Sequence, residues 1–403
     1  MIQTGQETVA ERLLPNVRTV MRVDDVTSGG AQFGYAARFR GELMVDSIEA
    51  FERLEPVFKN LGMTLLFRTE EGTHVALAVP RPATTKPSDP RRNLLLFALT
   101  VVGAWIAGAS YAGAQLVDDP TVGLGRIIVL GLPQGALYAL SLLAILLAHE
   151  FGHYIAARLH RTAVSLPYFL PLPLPGTFGT LGAFIQMKEP PRNRRVLLDI
   201  ALAGPIAGLL VAIPIVLIGL SISSVEQIPA NTPGFQIEGN SILYLALKFL
   251  VKGELLPAPS TYGALSPVLY WIRYFFIGLP APLGGRDVFL HPVAWAGWAG
   301  LLVTALNLIP AGQLDGGHAV YVLLGRRALR LWPFLVIGLV LLGLAWPGWF
   351  LWAMLLYFLG RTYAQPLDEI TPLDPRRRWL AFLGVLLFLI VFIPVPLRQF
   401  IGL

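Results

Sequence analysis

The sequence contains no cysteine. Disulfides and thiolate metal sites are therefore excluded, and any metal centre in this chain must use His, Asp or Glu. Charge is also scarce. Only 14% of the 403 residues are Asp, Glu, Lys or Arg, while 55% are hydrophobic. An average soluble domain is roughly a quarter charged, so this composition excludes an ordinary soluble enzyme, and the apolar content excludes disorder. Glycine (40) and proline (32) are abundant, without a collagen period. A signal-peptide core is missing too: residues 1–30 carry Glu7, Glu11, Asp24 and Asp25 and no apolar stretch of adequate length. What remains is a polytopic α-helical membrane protein in contact with a lipid bilayer.

The net charge of +6 does not point to nucleic acid. The basic residues cluster beside apolar runs, at Arg91-Arg92, Arg192/Arg194/Arg195, Arg326-Arg327/Arg330 and Arg376-Arg377-Arg378. That pattern fixes membrane topology and does not build a nucleic-acid face.

Residues 1–80 hold most of the mixed-charge sequence and read as a small soluble α+β domain. A strand is predicted from Phe33 to Met44. A helix follows over 45–60 (VDSIEAFERLEPVFKN), with Ile48, Phe51, Leu54 and Phe58 on one face and Pro56 interrupting it. A hairpin around Glu71-Gly72 completes a βαββ unit. Residues 81–92 (RPATTKPSDPRR) form a Pro-rich linker, and residues 93–403 form the membrane domain. Apolar runs at 93–116, 127–159, 196–221, 294–309, 331–346, 349–359 and 379–395 predict about seven spans. With the N-terminal domain in the cytoplasm, every basic cluster falls on the cytoplasmic side. Residues 222–291 then form a large outer loop, and single charges such as Lys248 fall outside.

The second run ends in HEFGH: His149, Glu150, Phe151, Gly152, His153. Positions i and i+4 share a helix face, so both imidazoles can bind one metal. Glu150 can reach a metal-bound water as general base. With six histidines in 403 residues, chance is a poor explanation of this trio. A catalytic zinc needs a third protein ligand and an open position. The metzincin extension is absent, because Ala156 and Leu159 stand where Gly and His would be required. His160 and Glu189 read as interfacial. Asp199 reads as paired with Arg194 and Arg195. The remaining carboxylate at matching depth is Asp315, in NLIPAGQLDGGH (307–318), where Pro310, Gly312, Gly316 and Gly317 break the fourth run. Irregular backbone at membrane depth is tolerated only when it is buried in protein or lines a water-filled cavity.

HEFGH near the inner end of one run, followed by N-x-x-P-x-x-x-L-D-G near the inner end of a later one, resembles the site-2 protease family of intramembrane zinc metalloproteases. Residues 176–188 (GTFGTLGAFIQMK) resemble that family's re-entrant β-type loop, and residues 202–208 (LAGPIAG) resemble the start of its third core span. The resemblance covers roughly residues 127–325. It implies one zinc per chain held by His149, His153 and Asp315, with Glu150 activating water. It also implies that Asn307 assists substrate or oxyanion binding, and that Gly176 and Gly179 lie in the loop that holds substrate. His318 would support the metal site without being a ligand.

The expected activity is hydrolysis of peptide bonds within or near transmembrane segments of membrane-protein substrates. A homo-oligomer is left open. Two readings compete: a metal-ion transporter using the same cluster as a transit site, and an inactive scaffold that binds membrane proteins. A transporter predicts ionisable residues continuing across the bilayer, and none lies between Ile127 and Ala148 within the second run. A dead scaffold has no need of an intact base and ligand set.

Overall fold

The structure, a computed structural model, describes residues 8–81, 89–117, 119, 121–174, 176–229 and 235–400. Most of the expected linker, 82–88, lies outside the described residues. The chain forms two compact units. The first gathers the described part of residues 1–87 with Lys188–Leu197 and Ala364–Arg377, and the second takes the remainder.

The first unit opens with α1 (Val9–Val17). The Thr8 hydroxyl accepts from the Glu11 N–H while the Glu11 carboxylate accepts from the Thr8 N–H, so two orphan donors of the first turn are satisfied reciprocally. Then come β1 (Met21–Gly30), β2 (Tyr35–Leu43), α2 (Ser47–Asn60), β3 (Met63–Glu70) and β4 (Thr73–Pro80). The strands form one antiparallel sheet in the order β1-β2-β4-β3. The predicted strand, helix and hairpin are all present. Helix α2 continues through Pro56 because Phe51, Leu54 and, beyond the proline, Phe58 are buried in the core with Phe39, Leu65 and Phe67. That burial outweighs one lost helical hydrogen bond. Helix α1 and strand β1 extend the unit beyond the expected βαββ set.

The outer edge of β3 does not end the sheet. The Phe67 N–H donates to the Leu367 carbonyl at 2.9 Å, and the Glu369 N–H donates to the Phe67 carbonyl at 3.1 Å. Leu367 and Asp368 donate in turn to the carbonyls of Pro191 and Arg192, at 3.0 and 2.8 Å. Parallel bridges Phe67–Asp368 and Asn193–Asp368 result. The Arg68 guanidinium fastens the seam from the side, donating to the carbonyls of Phe67 and Leu367 and lying 3.8 Å from the Glu369 carboxylate.

The second unit is mostly helical. Helix α3 (Pro90–Ala114) packs antiparallel on α4 (Leu124–Leu159). A two-stranded hairpin follows, β5 (Tyr168–Pro171) with β6 (Thr180–Phe184). Helix α5 (Arg194–Ser221), whose first residues belong to the first unit, runs back along α4. Residues 222–291 hold β7 (Ser224–Gln227), β8 (Phe235–Glu238), α6 (Ile242–Lys252), α7 (Pro267–Ile277) and β9 (Arg286–Phe289). Strands β7 and β9 pair with each other. Helix α8 (Pro292–Asn307) inserts between α4 and α5, where Gly300 meets Ile145 and Gly297 meets Val216. Next come α9 (Asp315–Leu324), the hairpin of α10 (Trp332–Gly343) and α11 (Gly348–Leu359), α12 (Pro375–Val391), and β10 (Leu397–Phe400), which pairs with β8.

Among the described residues three helices, α3, α4 and α5, are long and apolar enough to cross a membrane. Helices α10 and α11 have 12 residues each, about 18 Å at 1.5 Å per residue against a hydrocarbon core of about 30 Å. The molecule is an integral membrane protein of apolar helices with small sheets.

Lys248, expected as a lone outer charge, is completely buried. Its ammonium lies 2.8 Å from Glu238 and 3.2 Å from Asp287, and the Tyr244 hydroxyl donates to Glu238 at 3.2 Å. A charge buried this deeply needs such partners.

Candidate metal centre

Helix α4 carries HEFGH without interruption, and its two histidines project one turn apart on the same face. His149, Glu150 and His153 are all buried. The third group arrives from the break between α8 and α9. Helix α8 ends at Asn307, residues 308–314 turn, and Asp315 is the first residue of α9. The turn is held by its own backbone, with the Ala311 N–H donating to the Ile309 carbonyl at 2.8 Å and the His318 N–H donating to the Leu314 carbonyl at 3.0 Å.

The three ligand atoms converge. Asp315 Oδ2 lies 3.3 Å from His149 Nε2 and 3.3 Å from His153 Nε2, and the two imidazole nitrogens are 3.2 Å apart. This near-equilateral triangle matches one face of a tetrahedron, whose edge is about 3.3 Å when the bonds are about 2.0 Å long. Among the described residues it is the group of His, Asp and Glu side chains suited to hold an ion.

Hydrogen bonding shows why a cation fits. His153 Nδ1 is 2.7 Å from the Ile200 carbonyl. A carbonyl only accepts, so Nδ1 carries a proton, and Nε2 is the nitrogen left to present a lone pair to the triangle when the ring is neutral. Two imidazole nitrogens and a carboxylate oxygen then point at one another, an arrangement that a metal ion relieves and apolar surroundings cannot. Glu150 adds a further sign. Its Oε2 is buried without a hydrogen-bond partner, although buried carboxylate oxygens are otherwise satisfied. A metal-bound water would meet that demand.

The remaining predicted residues divide. The Asn307 amide nitrogen lies 3.3 Å from His149 Nε2, so Asn307 joins the cluster. His318 is buried one turn along α9 from Asp315. Gly176 and Gly179 sit in the connection between β5 and β6, both with positive φ, 77° and 80°. Gly179 has a packing reason for being glycine: a Cβ there would fall 2.4 Å from the Gly103 carbonyl oxygen and 2.5 Å from the Ala104 backbone of α3.

Two contributors were not singled out from the sequence. The Ile200 carbonyl that fixes His153, and Gly204, both come from the early part of α5. A Cβ at Gly204 would fall 2.1 Å from His153 Nε2, so only glycine lets α5 lie against the imidazole. The signal was present in LAGPIAG (202–208), where small residues recur at four-residue spacing. His160 and Asp199, read from the sequence as interfacial, pair with each other at 3.0 Å. Arg195, expected beside Asp199, donates to the Pro372 carbonyl at 2.9 Å.

Fold and site together show a histidine pair one turn apart on an apolar helix, joined by a carboxylate from a broken helix in a group that could hold a metal ion. Residues 137–333 match Peptidase family M50. That match covers 197 of the 403 residues, so over this stretch the chain is similar to that family. It is 33% identical over 263 residues to a probable chloroplastic zinc metalloprotease of Arabidopsis thaliana, EGY1, a match covering 64% of this chain and 42% of that protein. It is 28% identical over 381 residues to a probable chloroplastic zinc metalloprotease of Oryza sativa subsp. indica, EGY2, covering 89% of this chain and 61% of that protein. The chain thus spans about two fifths to three fifths of the length of these curated relatives. No solved structure matches it.

Proposed function

We propose that this chain is an intramembrane zinc metalloprotease that hydrolyses peptide bonds within or near transmembrane segments of membrane proteins. The observation that carries the proposal is the triangle of His149, His153 and Asp315 ligand atoms beside the unpartnered carboxylate oxygen of Glu150. In this reading the three side chains hold one zinc, which supplies Lewis acidity and an acidified water. Glu150 accepts the proton of the attacking water and delivers it to the leaving amine. Asn307, whose amide nitrogen lies 3.3 Å from His149 Nε2, would be released from that contact once the ring nitrogen holds the metal and could then donate to an oxyanion. His318 supports Asp315 from the next turn.

A transmembrane helix hides its carbonyls in its own hydrogen bonds and must unwind before attack. The hairpin of β5 and β6 supports extended binding by strand addition. Leu181 and Phe184 on β6 are exposed and could flank such a strand. Gly179→Val would push this hairpin off α3. The expected result is slower cleavage of a transmembrane reporter, a smaller effect on a short unfolded peptide, and unchanged zinc content. Equal losses on both substrates would mean that the hairpin does not handle unwinding.

The basic clusters support a seven-span arrangement with the N-terminal domain and the zinc site toward the cytoplasm. In sealed right-side-out vesicles, added protease should leave the N-terminal domain intact, and its digestion would invert the topology.

Metal removal tests the function as a whole. In proteoliposomes holding a single-span reporter, a zinc chelator should abolish cleavage, and added zinc should restore it. Cleavage that persists after complete zinc removal would refute the proposal. Neither an inactive scaffold nor a metal transporter predicts zinc-dependent scission.

A further inference from the structure

We propose that His160 and Asp199 form a positioning pair that holds α5 in the rotation needed to orient His153 for its metal. The inference rests on the assignment of His153 as a ligand.

The argument starts from spacing. His149, His153 and His160 follow one another at intervals of four and seven residues along α4, which at about 100° per residue places them within about 40° of one another around the axis. Helix α5 passes along this stripe in the opposite direction. A Cβ at Gly208 would lie 3.2 Å from His149 Nδ1, Gly204 lies against His153, the Ile200 carbonyl accepts from His153 Nδ1, and Asp199 meets His160. The His160 contact is the polar one at the end of this series. His160 is the residue that caps the C-terminus of α4, and its Nε2 is 3.0 Å from Asp199 Oδ2. Geometry of this kind supports a hydrogen bond from a neutral imidazole and an ion pair from a charged one.

Asp199 and Ile200 are consecutive, so their positions on α5 cannot move independently. Glycines at 204 and 208 permit close approach but offer no resistance to rotation or sliding, because they have no side chains to interlock. A small turn of α5 would lengthen the 2.7 Å bond at the Ile200 carbonyl and release His153 Nδ1. The proton could then shift to Nε2, the atom that must present a lone pair to the metal. A directional contact one residue away, made by a side chain on the other helix, resists that turn.

The test uses the full-length protein in detergent or proteoliposomes and measures zinc release to a chelator. Asp199→Ala and His160→Phe should release zinc about tenfold faster or more, the scale for losing a group that orients a metal-bound histidine. They should lower kcat more than KM. His160→Gln, which keeps an N–H donor at the helix end, should restore much of the retention. A pair that merely staples the two helices would lower the thermal midpoint of the zinc-loaded and zinc-free proteins alike and leave zinc release unchanged. If His153→Ala loses zinc but Asp199→Ala releases it at the wild-type rate, the positioning role is overturned. If His153→Ala retains zinc, the ligand assignment fails and the pair's role fails with it.

Discussion

Glu150→Gln is expected to keep its zinc and its fold while losing peptide cleavage by about a thousandfold, the scale for removal of a general base. The substitution preserves shape and burial and removes only the ability to take a proton. Glu150 is buried with one carboxylate oxygen unpartnered, so it holds no structural contact through that atom that an amide would break. Zinc content by metal analysis and cleavage of a single-span reporter in proteoliposomes check the two halves of the expectation. The same variant should hold membrane peptides without cutting them. Near-wild-type turnover would remove Glu150 from the chemistry and with it the hydrolase mechanism.

The second large effect is on the metal. Asp315→Ala should reduce zinc from one per chain to a trace after dialysis, with activity at background. Two imidazoles alone leave half the coordination of a catalytic zinc to solvent, whereas three protein ligands with one open position are the working arrangement. The cut also removes the anionic member of the set, whose oxygen sits 3.3 Å from both ring nitrogens. Full zinc stoichiometry in this variant would mean that the third ligand is another residue.

Much of this centre was legible because it is written locally. The interval of four residues between His149 and His153 needs only a helix to become a ligand pair, and α4 is long and apolar enough to be recognised. Asp315 could be placed because proline and glycine around it mark a broken helix. The support of His153 was harder to see. A backbone carbonyl at Ile200 has no sequence signature, and a glycine such as Gly204 shows its purpose only when the opposing imidazole is known. The outer segment was illegible for a related reason. Strand β8 pairs with β10, so residue 235 is in register with residue 400, 165 positions further along the chain, and no local pattern announces such a partner. Lys248 looked like an ordinary exposed charge because Asp287, one of its two carboxylates, stands far along the sequence. Strand β1 escaped detection because its residues are largely exposed and give no clean alternation.

The seam at the edge of β3 has a consequence for biosynthesis. The segments that complete this sheet are residues 191–193 and 367–369, and the ribosome makes the second of them only after every helix from α3 to α11. Throughout insertion of the preceding helices, the Phe67 edge therefore waits with open N–H and C=O groups, the condition that invites wrong pairing. Closure of this edge has to wait for the synthesis of residues 367–369. A chain truncated before residue 367 would leave this edge exposed even if its first eighty residues had folded.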